Sequence, residues 1–397
     1  MLYAFKQPLQ IASDEMSETS DYTNLTKHCQ AHLCTKLKLF VELPFSKTTN
    51  IMSNKFEDYL NKFDETDWLK SLDELLSAIG EVDRTATQIW FRFFPLALHD
   101  YLQTVEDTEK AVQKFVMQGD YELKNQIDSS HKFLYGHRFW KEVKDAIEKH
   151  AASFTSEDAN LTDEIKEIAK TAAQNVKADV SLLVGITAVG LMTLRQVGCS
   201  AFKTAEGKIY IDRQHAKKSA KEVLARRAKD DSQGILGFLK TIDKNWTVVY
   251  DENTNQASFK LFDAEELASG SARDQSKNWK ALDERCWEGV IPVECRSASC
   301  GTCWIGVVGG AEKLSDVARL ERKQMKIFGY NQGDGEKPFM RLACQAKAYG
   351  AVSIVIPPWN GVFGKKIYGN IEKIELEPAT SSAVKLREAI ASATETK

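Results

Sequence analysis

The cysteines are the strongest constraint on what this chain can become. Cys295-Arg-Ser-Ala-Ser-Cys300-Gly-Thr-Cys303 is followed, in a separate segment, by Arg341-Leu-Ala-Cys344. Three sulfurs within nine residues require a tight loop, and the fourth must arrive from elsewhere to close a cage. The spacing C-x4-C-x2-C with a distant fourth cysteine is that of a four-thiolate [2Fe–2S] site. Gly301 allows a sharp turn, and Ser297, Ser299 and Thr302 are small enough for main-chain N–H groups to reach the sulfurs. The competing reading is zinc on the same four cysteines. Structural zinc sites usually pair two C-x2-C knuckles, and Cys344 has no near partner, which favours iron and sulfide.

With those residues in view, the stretch from about Trp246 to Phe363 resembles a [2Fe–2S] ferredoxin of the plant-type and adrenodoxin-like families. Val293-Glu294-Cys295 through Cys303 and Arg341-Leu-Ala-Cys344-Gln-Ala carry the likeness. It implies a β-grasp fold of the α+β class, with Cys295, Cys300, Cys303 and Cys344 as ligands of the cluster. The flanks agree. Thr247–Tyr250 and Ser258–Leu261 are β-rich runs around a polar turn, Asp251–Asn255. Trp304–Val308 and Ala351–Ile356 supply two more strands, the latter stopped by Pro357-Pro358. Trp279 to Trp287 reads as a short amphipathic helix that puts Leu282 and Cys286 on one face, making Cys286 a buried apolar side chain and not a ligand. Asp263 to Ser276 reads as an insertion. The long gap to Cys344 is nearer the adrenodoxin-like branch, whereas the first gap of four residues is plant-like.

Ahead of this region the periodicity is helical. Trp68, Leu72, Leu75 and Ile79 form one stripe, Ile165, Ile168, Ala169, Ala172 and Ala173 another, and Trp140, Val143 and Ile147 a third. Thr87 to Leu102, with a break expected at Pro95, adds a further segment. The fold class is therefore multidomain: an all-α bundle over 52–202, a basic helical connector over 203–245, the β-grasp domain over 246–363 and a tail over 364–397. Residues 1–51 are polar, lack periodicity and read as a disordered tail, with Met52 a candidate initiator. Val180 to Leu194 is fifteen residues without a charge. A bilayer span needs about twenty, so this run reads as a buried central helix, the alternative being a dip into a membrane or a partner's groove.

Other candidate ligands are weaker. His28, Cys29, His32 and Cys34 lie within seven residues, too short a run to wrap a tetrahedral ion. His99, His131 and His137 fall in the helical region without a Glu-x-x-His or HExxH pattern, and the six-residue step from His131 to His137 places them on different faces of a helix.

Composition then limits function. The 397-residue chain has a net charge of −3, which gives no argument for nucleic acid or an anionic membrane. Residues 246–397 hold 20 acidic and 20 basic side chains, so the acidic excess through which plant ferredoxins dock is missing. No G-x-G-x-x-G or P-loop pattern offers a seat for a flavin or nicotinamide. The expectation is an intracellular, cytoplasmic one-electron carrier holding a [2Fe–2S] cluster, not a self-contained enzyme. Its potential would be on the order of −400 mV, and the helical part would choose the redox partner protein. The rival is an iron–sulfur sensor whose cluster state controls partner binding.

Overall fold

In the helical part, capping residues and apolar stripes set each element. The computed structural model describes residues 55–93, 123–155, 158–229, 244–283, 285, 286, 288–328, 330 and 337–356. The proposed tails, Met52, the His28–Cys34 cluster, Pro95 and His99 lie outside them. Helix α1 is Lys55–Leu60 and α2 is Glu65–Leu75. Asp64 starts α2 with a reciprocal capping box to Asp67, and Trp68, Leu72 and Leu75 turn inward. Helix α3 is Glu81–Phe93, α4 is Trp140–Ser153 and α5 is Leu161–Val176. Asn160 caps α5, whose inner stripe is the predicted one from Ile165 to Ala173.

Helix α6, Ser181–Thr204, runs through the middle. Its 24 residues are long and apolar enough to cross a membrane, so length does not argue against a span. Burial does: Leu183 to Leu194 are enclosed by the rest of the protein. Gly185 and Gly190 show how closely. A Cβ on Gly185 would lie 2.5 Å from Thr87 Oγ1 of α3, and one on Gly190 2.7 Å from Ile147 of α4. These glycines serve helix crossings inside the bundle. The helix breaks at Gly198 (φ 79°), where the Glu57 carboxylate accepts the Cys199 N–H at 2.9 Å.

Among its described residues the connector has two short helices, α7, Arg213–Ala216, and α8, Ala220–Ala228, which Ser219 and Glu222 open with a capping box. Arg227 of α8 is buried and donates to Glu252 from Nε (2.9 Å) and Nη2 (2.8 Å), and to the Val82 carbonyl from Nη1 (2.6 Å). That side chain therefore links α3, the connector and the β1–β2 turn.

The C-terminal part is a mixed sheet. Strands β1 (Asn245–Val249) and β2 (Ser258–Phe262) form the predicted hairpin, with Trp246 opposite Leu261 and Val248 opposite Phe259. Strand β3 is Glu265–Glu266, β4 Trp304–Gly309, β5 Met340–Leu342, β6 Lys347–Ala348 and β7 Val352–Val355. The main sheet has the order β2-β1-β7-β4-β5, in which β1 and β7 are parallel and the other pairs antiparallel. β3 and β6 pair separately.

Helix α9, Leu267–Arg273, occupies the stretch expected to be an insertion. It packs on β2 so tightly that a Cβ on Gly270 would lie 2.8 Å from Leu261 Cβ. Helix α10, Trp279–Leu282, is one turn, shorter than expected. Leu282 is exposed and Cys286 is buried, so the two do not share a face. Helix α11, Arg319–Phe328, was not anticipated.

The helical part and the sheet share one continuous hydrophobic core that includes Phe56, Trp140, Leu191, Val248, Trp304 and Ile354. β4 is where they meet. A Cβ on Gly306 would come within 2.6 Å of Ile89 of α3, and one on Gly309 within 2.6 Å of the Arg227 side chain. This cover explains why most of β4 is buried without alternation.

Candidate metal centre

The loop from Cys295 to Cys303 bends through three residues in the left-handed region: Arg296 (φ 51°), Ala298 (φ 57°) and Gly301 (φ 76°). Only the last is a glycine. Two side-chain-bearing residues held there cost on the order of 1–3 kcal/mol each, a strain that surrounding structure must impose. The alternation turns successive N–H groups inward, as an anion-binding nest does. Cys295 Sγ accepts N–H groups from Ser297 (3.5 Å), Ser299 (3.3 Å) and Cys300 (3.4 Å). The Ala298 N–H is directed at Cys344, which also receives Gln345 Nε2 at 3.6 Å.

Cys344 comes from the turn after β5, and that strand is held by a buried ion pair. Glu321 of α11 accepts Arg341 Nε (2.8 Å), Arg341 Nη2 (2.9 Å) and the Leu342 N–H (2.8 Å). Arg341 also donates to the Ser315 carbonyl at 2.9 Å, and both side chains are wholly buried. On the other flank, α9 gives its Leu267 N–H to the Ala346 carbonyl and its Ala268 N–H to the Ala343 carbonyl, both at 3.0 Å. The fourth cysteine is braced from both sides.

The four thiols gather as two pairs, Cys295 with Cys300 and Cys303 with Cys344. Within each pair the two sulfurs differ. Burial works to raise the Cys295 thiol, but hydrogen bonds from Ser299, Ser297 and Cys300 outweigh it and hold the thiol down at about 6. Burial pushes Cys300 up. Cys344 accepts a hydrogen bond from Cys303 and is lowered to about 7, while the same bond and burial raise Cys303. Each pair thus contains one readily ionised sulfur, the form that takes metal. Cys303 and Cys344 are buried; Cys295 and Cys300 are half-buried.

Among the described residues, no three His, Cys, Asp or Glu side chains gather around one metal ion. Two thiol pairs with inward N–H groups fit a different requirement, two irons with two thiolates each and hydrogen bonds to sulfur. Residues 274–349 match the family model of the 2Fe-2S iron-sulfur cluster binding domain. This segment is a 2Fe-2S domain. It binds a [2Fe–2S] cluster. The helical part has no such match, and no solved structure matches the chain.

The other candidate ligands fall differently. Cys286 is buried, its Sγ–H donates to the Val290 carbonyl at 3.2 Å, and burial pushes its thiol up to about 12. His131 and His137 do meet, contrary to the helical spacing argument, because the chain between them is turns and a 3₁₀ segment, Tyr135–Phe139. Their Nδ1 atoms are 3.1 Å apart, His131 Nε2 lies 3.2 Å from the Ile127 carbonyl, and His137 Nε2 accepts the Tyr210 N–H at 3.0 Å. His131 therefore carries its proton on Nε2 and His137 on Nδ1, so both rings are neutral. With every ring nitrogen committed, the pair is structural.

Proposed function

We propose that the chain is a one-electron carrier whose [2Fe–2S] cluster is held by Cys295, Cys300, Cys303 and Cys344, Cys295 and Cys300 on one iron and Cys303 and Cys344 on the other. The observation that carries this is the asymmetric burial of the two thiol pairs. A deep pair excludes water, while the half-buried Cys295–Cys300 edge lies within reach of a docked protein. N–H groups directed at Cys295 and Cys344 stabilise negative charge on sulfur and so tune the potential. The cluster supplies reversible one-electron chemistry; the chain holds it, shields it and leaves one edge open. The mixed sheet with α9 packed across it supports a β-grasp reading of the domain.

Redox partner proteins and a cytoplasmic setting belong to the same reading. The helical part acts in it as a rigid backing for β4, which keeps the loop geometry constant through the redox cycle. The test is anaerobic purification of the full chain, with iron and sulfide analysis, visible absorption and paramagnetic resonance. Two irons and two acid-labile sulfides per chain, with a signal only after one-electron reduction, are expected. A colourless protein holding a single zinc would overturn the proposal.

A further inference from the structure

The sequence of α11, Arg319-Leu-Glu-Arg-Lys-Gln-Met-Lys-Ile-Phe, holds four cations and one acid. The fold spends that acid internally, because Glu321 is wholly buried on Arg341. Gln324 and Met325 also turn inward. Among the side chains described, the outer side carries Arg319, Arg322 and Lys326, exposed, with Lys323 half-exposed, and Leu320 among them at 53% exposure. A helix whose outer face is cationic is thus produced inside a region of zero net charge.

The position of this helix gives the face its meaning. Ala318, the residue before α11, lines a hollow of about 300 Å³ together with Cys344, Gln345, Lys347, Arg296 and Ser269. Glu266 lines the same hollow, and Arg296 and Lys347 at its rim are ion-paired with Glu288 and Glu266, so the unbalanced charge beside the hollow is that of α11. Backbone bonds from Ser315 to the Lys347 carbonyl and from Tyr349 to the Lys313 carbonyl tie the approach to α11 to this rim. Tyr349, 51% exposed, lies there beside Lys347. The cationic helix α11 therefore begins at the hollow that Cys344 lines, with Leu320 exposed on its first turn.

We propose that the outer face of α11, with the hollow that runs from Cys344 to Arg296 beside the half-buried Cys295, is where an acidic protein partner docks to exchange electrons. The inference rests on the electron-carrier reading and adds the charge of the partner. Clustered charge of one sign beside a redox centre raises the encounter rate with opposite charge. Leu320 and Tyr349 supply the apolar contact that a protein face uses and a nucleic-acid backbone does not.

The test uses the full, cluster-loaded, reduced chain and two small oxidants, trianionic hexacyanoferrate(III) and tricationic hexaamminecobalt(III). Each takes one electron from the cluster, which returns to its oxidised spectrum without proton transfer. At low salt, Arg322→Glu with Lys323→Glu and Lys326→Glu should slow oxidation by hexacyanoferrate about tenfold and speed oxidation by the cobalt complex. Lys217→Glu with Lys221→Glu, on the basic connector, should change neither rate. Poly-L-glutamate should protect the wild type from hexacyanoferrate and leave the α11 variant unprotected. A short DNA duplex at equal charge should protect less than the peptide.

Unchanged rates in an α11 variant with full visible absorption would overturn the docking face and leave the carrier reading standing. Stronger protection by DNA would replace the protein partner with nucleic acid and overturn the proposal as stated. Failure of the chain to hold a cluster would bring down both readings. The single Lys326→Gln variant, which removes one charge without reversal, should show the same direction at smaller size.

Discussion

In the helical part, α6 buries Leu183 to Leu194 among other apolar side chains, and its neighbourhood keeps buried histidines neutral. In the sheet part, β5 is fixed by a buried charge pair, Glu321 with Arg341, and the cysteine loop accepts backbone strain. The difference follows from what each region must hold. Apolar packing tolerates shifts of a few tenths of an ångström, whereas a thiolate cage does not. Buried ion pairs are a costly way to gain stability, but a bidentate carboxylate–guanidinium pair fixes direction. Here it fixes the strand that delivers Cys344.

Breaking the sheet side should produce the largest effect. Cys344→Ala should abolish visible absorption and deplete iron, since it removes one of the four proposed thiol ligands; helical circular dichroism should persist. Retention of two irons would remove Cys344 from the ligand set. Next in size, Glu321→Gln strands a buried guanidinium and should cost about 3–5 kcal/mol in denaturant unfolding. Glu321→Leu with Arg341→Met should recover most of that stability while still lowering cluster retention. A loss below about 1 kcal/mol in the single variant would mean that the pair does not brace the strand.

The helical side is sharpened by pH. Burial lowers His137 to about 4 and His131 well below its usual value, with Lys132 and Arg138 adding repulsion and Asp128 opposing it at His137. Both contributions are present above about 6.5 and are lost as pH falls, that of His137 by about 4 and that of His131 over a range well below its usual value. Asp83 acts in the opposite sense. Burial raises it to about 6 against the Tyr135 and Gly136 N–H groups and against Arg227 and Arg138, so its contribution is present at low pH and lost as pH rises through about 6. The wild type should therefore lose only part of its stability between pH 7 and 5, and Asp83→Asn should steepen that loss. A slope unchanged by Asp83→Asn would break this account. The smallest effect expected is that of Cys286→Ala: full cluster absorption with roughly 1 kcal/mol lost to a small cavity. Loss of iron would show it to be a ligand.

Regularity decided what could be read from the sequence. The stripes through Trp68, Trp140 and Ile165 recur at helical spacing and gave their helices, and the β1–β2 hairpin followed from alternation around a polar turn. Helix α11 was hidden because its inward stripe contains Glu321 and Gln324, which count as polar until Arg341 is seen beneath them. The α9 stretch was hidden because Gly270 and Ser271 look like a loop, although a small residue is what lets that helix lie on Leu261. In the candidate metal centre, the cysteine spacing points to the same four thiols that the fold arranges as two pairs. The positive φ at Arg296 and Ala298 left no mark, since neither residue is one that favours it. The His131–His137 contact was missed by assuming a helix across turns.

The furrow at Gly306 bears on heredity as well as on folding. Ile89 fills the place where a side chain on β4 would stand, from a position more than two hundred residues earlier in the chain. A recombination that moved residues 244–356 to another protein would leave that furrow bare beside the strand that follows Cys303, and one that placed a larger residue at 306 would wedge the helices away. Inheritance of the 2Fe-2S domain in this form is therefore tied to inheritance of α3, and variation at 89 and 306 should be correlated among descendants.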